Sequence, residues 1–363
     1  MQSTLAVTSG MRANSRGLFP EPGTVGSRRF AGVTGYTAET VRTEGGTIIR
    51  RPAPLTVPVR EIGVQFPRLG AAQVIAAYVA LTKPRIIELL LVTTVPSMVL
   101  AAGGVPPWER VLWTLLGGTA AAGSANVFNS VLDADIDERM RRTRKRPMAQ
   151  GAVTRGQAYA FGVLLGAAAV IVLGLGANWL SAALAMVANG YYVFVYTMAL
   201  KRRTSQNIVW GGIAGCFPPL IGWTAVTGGV DWPPIVLFAI VFFWTPPHTW
   251  ALAFRYREDY QAAHVPMLPV VMEPQAVAVR ILVYTVLTVA ISLGLWPVAG
   301  TGWLFPAVAL VAGTAMIGES VQLLRRARSG LTDAELKPMR LFHLSNSYLA
   351  IVFIAAAIDP LVF

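Results

Sequence analysis

Apolar residues run through this chain in long blocks rather than at a strand or surface-helix period. Nine stretches of mostly apolar residues follow one another, at about 86–104, 110–132, 156–176, 178–200, 206–227, 232–254, 276–298, 302–324 and 341–359. A helix needs roughly 20 such residues to cross the hydrocarbon core of a bilayer. Helices also satisfy their backbone polar groups within the segment, as lipid requires. The pattern predicts an all-α, polytopic membrane protein with nine transmembrane helices. A shorter apolar stretch, Ala71 to Thr82, reads as an interfacial helix ending at the basic break Lys83-Pro84-Arg85. Pro218-Pro219 and Pro246-Pro247 fall inside spans and predict kinks.

The polar breaks alternate in charge. Span two is followed by Arg139, Arg141, Arg142, Arg144, Lys145, Arg146 and Arg155, span four by Lys201, Arg202 and Arg203, and span six by Arg255 and Arg257. Span eight is followed by Arg325, Arg326, Arg328, Lys337 and Arg340. The opposite breaks are nearly bare, with Glu109 and Arg110 in one and Asp231 in another. Basic loops face the cytoplasm, so the alternation predicts a cytoplasmic N-terminus. An error of one span would destroy it. Residues 1–70 are rich in Gly, Ser, Thr, Pro and Arg, lack a sustained apolar period, and read as a poorly ordered tail. No apolar core of a secretory signal opens the chain. The membrane domain is expected over 71–363.

Composition agrees. Of 363 residues, 54% are hydrophobic and only 13% charged, about half the charged share of a typical soluble domain. The net charge of +12 lies in short loops between apolar runs, which points to bilayer orientation and anionic ligands rather than nucleic acid. Cys216 is the sole cysteine, so one chain holds neither a disulfide nor a thiolate metal site. His248, His264 and His343 are too scattered for a spacing-defined zinc motif.

The chemistry concentrates in NVFNSVLDADIDERMRRTRKRPM, from Asn126 to Met148, where span two reaches water. On a continuous helix Asn129, Asp133 and Asp137 recur every four residues and share a face, while Asp135 points elsewhere. Like charges at that spacing repel, so the pattern is a poor structural element. It is a good half-shell for a hard cation such as Mg2+, which takes oxygen ligands and completes its sphere with phosphate and water. Acid followed by base at a membrane surface suggests a Mg2+-diphosphate site. The alternative, a solvated helix end, explains the arginines but not the carboxylate spacing.

A weak internal repeat supports a two-part site. Asp137 is followed ten residues later by Pro147-Met148, and Asp259, after span six, is followed seven residues later by Pro266-Met267. If the two loops converge, Asp259 faces Asn129, Asp133 and Asp137. His248, in WTPPHTW within span six, is an ionisable group inside a span and so a functional candidate. It could touch an acceptor, act as a base or ligate iron; a hydrogen-bonded structural role beside the prolines is the alternative. His343 is a weaker case and His264 reads as loop structure.

LTKPRI, the N-x-x-x-D-x-x-x-D run followed by RTRKRP, LKRRTSQNIVWGGIAGCFPPLIGWTAVTG, FFWTPPHTWALAFRYREDY and VPMLPVV together closely resemble the protohaem IX farnesyltransferases (haem O synthases), a group of the UbiA-type intramembrane prenyltransferases. The likeness runs from about Tyr78 to Asp359. It implies nine helices around a central cavity. It also implies transfer of farnesyl from farnesyl diphosphate to a vinyl group of haem B with addition of water, Mg2+ as cofactor, and haem O as product. A location in the cell (inner) membrane follows, with the active site on the cytoplasmic side and handover towards a haem A synthase or terminal oxidase. Carried over residue by residue, Asn129, Asp133 and Asp137 match the first metal-diphosphate motif, and Asp259 alone matches the second. Ser130 stands where many relatives have a second acid, which leaves the number of metal ions open. Lys83, Arg85, Arg142, Lys145 and Arg202 are the implied diphosphate contacts, and His248 fits the haem-type PPH element.

Three rivals stand beside this reading. A prenyltransferase acting on an aromatic acid or quinone precursor would share the fold. A transporter or channel would line a permeation path with the same polar groups. An alcohol phosphatidyltransferase would also use Mg2+ and carboxylates, but its signature is missing here.

Overall fold

The computed structural model describes residues 70–363, apart from the side chains at 85, 86 and 88–90, and the backbone of two short strands. Those strands, β1 (Thr40–Arg42) and β2 (Ile48–Arg50), pair antiparallel with Thr40 opposite Arg50, in a unit separate from the one that begins at Gln65. The expectation of a poorly ordered tail otherwise concerns residues outside the described set.

From Ala71 onward the described chain is helical. The interfacial helix α1 (Ala71–Thr82) ends where Lys83 takes a left-handed backbone, φ 54°. Pro84, which needs no N–H partner at a helix start, then opens α2 (Pro84–Ala102). After α2 come α3 (Trp108–Leu132), the short α4 (Ala134–Arg139), α5 (Arg155–Gly176) and α6 (Trp179–Gly190). The last of these continues as a π-helix over Tyr191–Leu200. The next span is assembled from α7 (Asn207–Gly211), a 3-10 turn (Gly212–Cys216) and α8 (Phe217–Thr227). The remaining elements are α9 (Trp232–Arg255), α10 (Arg257–Ala262), α11 (Leu268–Val271), α12 (Pro274–Ala299), α13 (Leu304–Arg328) and α14 (Pro338–Val362).

Each of the nine predicted spans coincides with a described helix or helix series. Eight are long and apolar enough to cross a membrane, and α2 contributes the apolar stretch Leu91–Ala102. The proline pairs behave differently. At Pro218-Pro219 the span changes helix type, whereas α9 runs unbroken through Pro246-Pro247.

Small residues set the packing, as expected where lipid offers no hydrophobic drive between helices. On α5, Gly162 and Gly166 lie one turn apart against α3: a Cβ at Gly162 would come within 3.1 Å of the Phe128 ring, and one at Gly166 within 3.2 Å of Ser124 Oγ. Ser124 Oγ donates to Gly162 O at 2.7 Å across the same contact. Helix α2 meets α8 as closely, since a Cβ at Gly222 would sit 2.5 Å from Thr94 O. The largest apolar cluster joins α9, α12, α13 and α14. Buried Asp359, near the end of α14, accepts from the N–H groups of Gly302 and Phe305 (2.9 Å for the latter) and so caps the start of α13.

Candidate active site

The helix expected through Asn129, Asp133 and Asp137 is broken at Asp133, whose backbone (φ −97°, ψ 8°) separates α3 from α4. The four-residue ladder survives the break: Asp133 N donates to Asn129 O and Asp137 N to Asp133 O, each at 2.9 Å. All three side chains remain together and are buried. Carboxylates at this depth require partners, and the fold supplies them from three other segments. Lys201, just past the π-helix, donates to Asp133 Oδ2, which also receives Asn129 Nδ2 at 2.7 Å. Lys83, swung inward by its left-handed backbone, donates to Asn129 Oδ1. Asn129 Nδ2 also donates to Thr197 Oγ1 at 3.1 Å. Arg146 grips both oxygens of Asp137 at 2.9 Å.

Arg202 binds Asp135 through two bonds of 2.8 and 2.7 Å and comes within 3.7 Å of Asp133 Oδ1. Its guanidinium holds Asp135 below the usual carboxylate range. Burial, with Arg146 and Lys201 nearby, pulls Lys83 down to about 7, while Asp137 and Asp133 oppose that shift.

The second acidic loop repeats this local architecture. Helix α9 stops at Tyr256 (φ −114°, ψ 27°), as α3 stops at Asp133, and a six-residue helix follows in each case. Asp259, in the first turn of α10, is buried. Arg141 Nε donates to its Oδ1 at 3.2 Å and Arg142 N to its Oδ2 at 3.3 Å. Arg141 also pairs with exposed Glu258 at 2.6 Å. One loop therefore ties the halves together: Arg141 and Arg142 reach Asp259, and Arg146 reaches Asp137. Both acidic sites lie at the same end of the helices.

An apolar cavity of about 150 Å³ opens between α2, α3, α6 and α8. Its walls are mostly small: Gly118, Ala121, Ala125, Ala185, Ala188 and Gly215 are among them. Asn126, one turn before Asn129, and Tyr192, on the π-helix that leads to Lys201, also line it. The cavity thus comes within one helical turn of Asn129 along α3.

The fold separates the remaining candidates. Of the expected diphosphate contacts, Lys83 and Arg202 reach the cluster. The Arg142 side chain lies over the Tyr256 ring, 5.2 Å from its centre. Lys145 is exposed and makes no ion pair among the described residues, and the side chain of Arg85 lies outside them. His248 sits apart, at the α9–α14 seam: its ring stacks between Trp244 (4.2 Å) and Phe342 (4.5 Å), and Nδ1 bonds Ser345 Oγ at 2.9 Å. His264 occupies a left-handed turn, φ 54°, and His343 is exposed. Sequence reasoning placed Lys201, Arg141 and Arg146 in the basic loops but not on particular carboxylates. Only the i+9 spacing of Arg146 from Asp137 is local enough to have hinted at a pair.

The donor set suits a hard divalent cation. Asp133 Oδ1 is buried without a hydrogen bond, and Asn129, Asp133 and Asp137 all offer oxygen. No cluster of three or more His, Cys, Asp or Glu side chains fit to hold a metal occurs among the described residues. An ion here would need the Asn129 amide, with phosphate or water, to complete its shell and would displace Lys83 and Arg146 from the oxygens they now hold; Asp259 stays with its arginine loop.

Comparison with known proteins accords with this geometry. Residues 90–346 match the UbiA prenyltransferase family. Protoheme IX farnesyltransferase of Cutibacterium acnes is 63% identical over 313 residues, 86% of this chain and 93% of that one. Protoheme IX farnesyltransferase 1 of Saccharopolyspora erythraea is 57% identical over 297 residues, 82% and 92% of the two chains. Among solved structures, one of digeranylgeranylglyceryl phosphate synthase superposes with a TM-score of 0.66 at 15% identity, covering 80% of this chain and all of that one. A UbiA homologue from Archaeoglobus fulgidus bound to GPP and Mg2+ gives 0.52 at 14% identity, covering 77% and 99%. Fold, site and relatives converge: the chain belongs to the UbiA prenyltransferase family, with protoheme IX farnesyltransferases among its near relatives.

Proposed function

We propose that this multi-pass membrane protein transfers farnesyl from farnesyl diphosphate to a vinyl group of haem B, with addition of water, giving haem O and diphosphate. One observation carries the reading: a buried acidic pair with an orphaned oxygen, ringed by Lys83, Lys201, Arg146 and Arg202, lies one helical turn along α3 from an apolar cavity. A diphosphate attached to a hydrocarbon chain has that shape and charge. The names of the relatives add the farnesyl donor and the haem acceptor.

Asn129, Asp133 and Asp137 would hold Mg2+, with Asp259 serving the diphosphate end by fixing the loop of Arg141 and Arg142. When bound, the ion neutralises charge on the departing diphosphate. Lys201, Arg146 and Arg202, now on carboxylates, and Lys83, now on the Asn129 amide, are available to the diphosphate oxygens, where negative charge develops as the C–O bond breaks and its electron pair leaves with the diphosphate. The allylic cation that remains lies beside Tyr192, whose ring stabilises it and, with the apolar walls, keeps water away. The terminal vinyl carbon attacks it. Water then adds at the neighbouring carbon and loses a proton. The basic loops support a cytoplasmic position for this end of the protein at the cell membrane, from which haem O would pass to a haem A synthase or terminal oxidase.

The test is a product assay on purified protein with farnesyl diphosphate, haem B and Mg2+. The expected product is a haem heavier by one farnesyl group and one hydroxyl. Prenylation of an aromatic acid with haem B left unchanged would transfer the assignment to the same-fold rival.

A further inference from the structure

The farnesyl-transfer chemistry above makes no use of His248, yet the fold constrains this side chain on every side but one. Trp244 and His248 are one turn apart on α9, and both reach the same residue of α14: Trp244 Nε1 donates to Ser345 O at 2.7 Å, and His248 Nδ1 meets Ser345 Oγ at 2.9 Å. Phe342, one turn before Ser345, covers the other face of the imidazole. The two stacked contacts, with interplanar angles of 19° and 28°, prevent the ring from turning over.

The hydrogen-bond count then decides the tautomer. A serine hydroxyl has one hydrogen, and Ser345 donates it to Phe342 O at 2.8 Å. With that hydrogen on Phe342 O, the bond to His248 is assigned to Nδ1–H as donor. In the neutral ring Nε2 then carries the lone pair, and among the described residues the ring's hydrogen bond is the one at Nδ1. A neutral imidazole pinned through Nδ1–H to an oxygen, with Nε2 free, is how proteins prepare histidine as a metal ligand.

We infer that Ser345 is a positioning residue that holds His248 as an intramembrane axial ligand for the iron of the porphyrin acceptor. The inference rests on the farnesyl-transfer reading for the identity of the acceptor. His248 lies eleven residues before Asp259, roughly 16 Å at 1.5 Å per helical residue. That offset is comparable to the width of a porphyrin, so iron held by His248 would put the macrocycle on the scale of the distance to the acidic loop.

The experiment is a titration of the full-length protein in nanodiscs with ferric haem B and, separately, with metal-free protoporphyrin IX, followed by absorption and electron paramagnetic resonance. Wild type should give a histidine-ligated ferric spectrum. His248→Ala should abolish that signature and leave binding of metal-free porphyrin unchanged. Ser345→Ala should weaken ferric haem binding about 10- to 100-fold, the usual effect of removing a ligand's outer partner, and Ser345→Thr, which keeps the hydroxyl, should restore it. Retained farnesyl diphosphate binding verifies that each variant is folded. Identical ferric spectra in wild type and His248→Ala, or equal losses for both porphyrins, would overturn the assignment even if the wild type farnesylates haem B. A wild type that ligates haem through His248 but transfers no farnesyl would instead overturn the proposed function alone.

Discussion

Replacing Asp133 by Asn keeps the shape of the side chain and removes one charge. The structure fixes what that charge does. Asp133 is almost wholly buried, with 1% of its side chain exposed, and faces Lys201, whose side chain is 16% exposed, and Arg202, which is 40% exposed. Breaking a buried ion pair from one side costs about 3–5 kcal/mol. Because Lys201 and Arg202 keep some solvent, the lower end applies, about 3 kcal/mol, or roughly two decades in the folding equilibrium at 1.4 kcal/mol per decade. Asp133→Asn should therefore melt earlier in detergent, and Asp133→Asn with Lys201→Met should recover most of that loss, because no bare cation is left behind. Catalysis should not recover.

Losing one preorganised charge-stabilising group typically costs about 10²–10³ in turnover. Changing only an outer partner of a metal ligand already shifts metal affinity about 10–100-fold, so removing a ligand charge should raise the Mg2+ requirement at least about tenfold. The assay is farnesyl transfer per folded protein across a Mg2+ titration, for wild type, both single variants and the double variant. Lys201→Met, which removes an outer partner of Asp133, should slow turnover and move the Mg2+ midpoint less than Asp133→Asn does. An unchanged Mg2+ midpoint in Asp133→Asn would show that Asp133 is a charge partner for Lys201 and no metal ligand, and the site as drawn would fail.

Other consequences are smaller. Ala125→Phe places a ring in the apolar cavity and should shift preference from farnesyl to geranyl diphosphate, read as the ratio of kcat/KM values; equal losses for both donors would move the chain elsewhere. Asp359→Ala removes the carboxylate that caps α13 and should cost about 1–2 kcal/mol, within the range of lost N-caps, visible as an earlier melt with turnover per folded molecule unchanged. Lys83 titrates near 7 in the folded protein and near 10.5 when unfolded, so between those values the unfolded chain binds the extra proton. Stability should therefore rise with pH across that window. Lys83→Met should flatten that slope, as melts at pH 7 and pH 9 would report.

How much of this was legible in the sequence differs from one residue to the next. Asp133 and Asp137 stood out because their spacing conflicts with ordinary helix electrostatics, and the four-residue ladder that keeps them together is local. The break at Asp133 was not legible, because nothing in SVLDAD excludes a continuous helix. The matching break at Tyr256 makes the weak repeat visible as architecture. Lys145 and Arg146 are neighbours of equal charge in sequence, yet one is exposed and the other closes on Asp137. Only the path of the loop distinguishes them.

The chain by itself determined its succession of apolar spans, the alternation of basic and bare loops, and the acidic run at a span end. Lipid makes these one-dimensional properties, since each helix must be apolar over its own length and each loop carries its own charge. Tertiary structure decided which cation answers which carboxylate: Lys201 is 68 residues from Asp133, and Arg141 is 118 from Asp259. It also decided that His248 is clasped by a serine 97 residues away. Such pairings form because buried charge and buried hydrogen-bonding groups must find partners, and the helices that bring those partners near pack through contacts far apart along the chain.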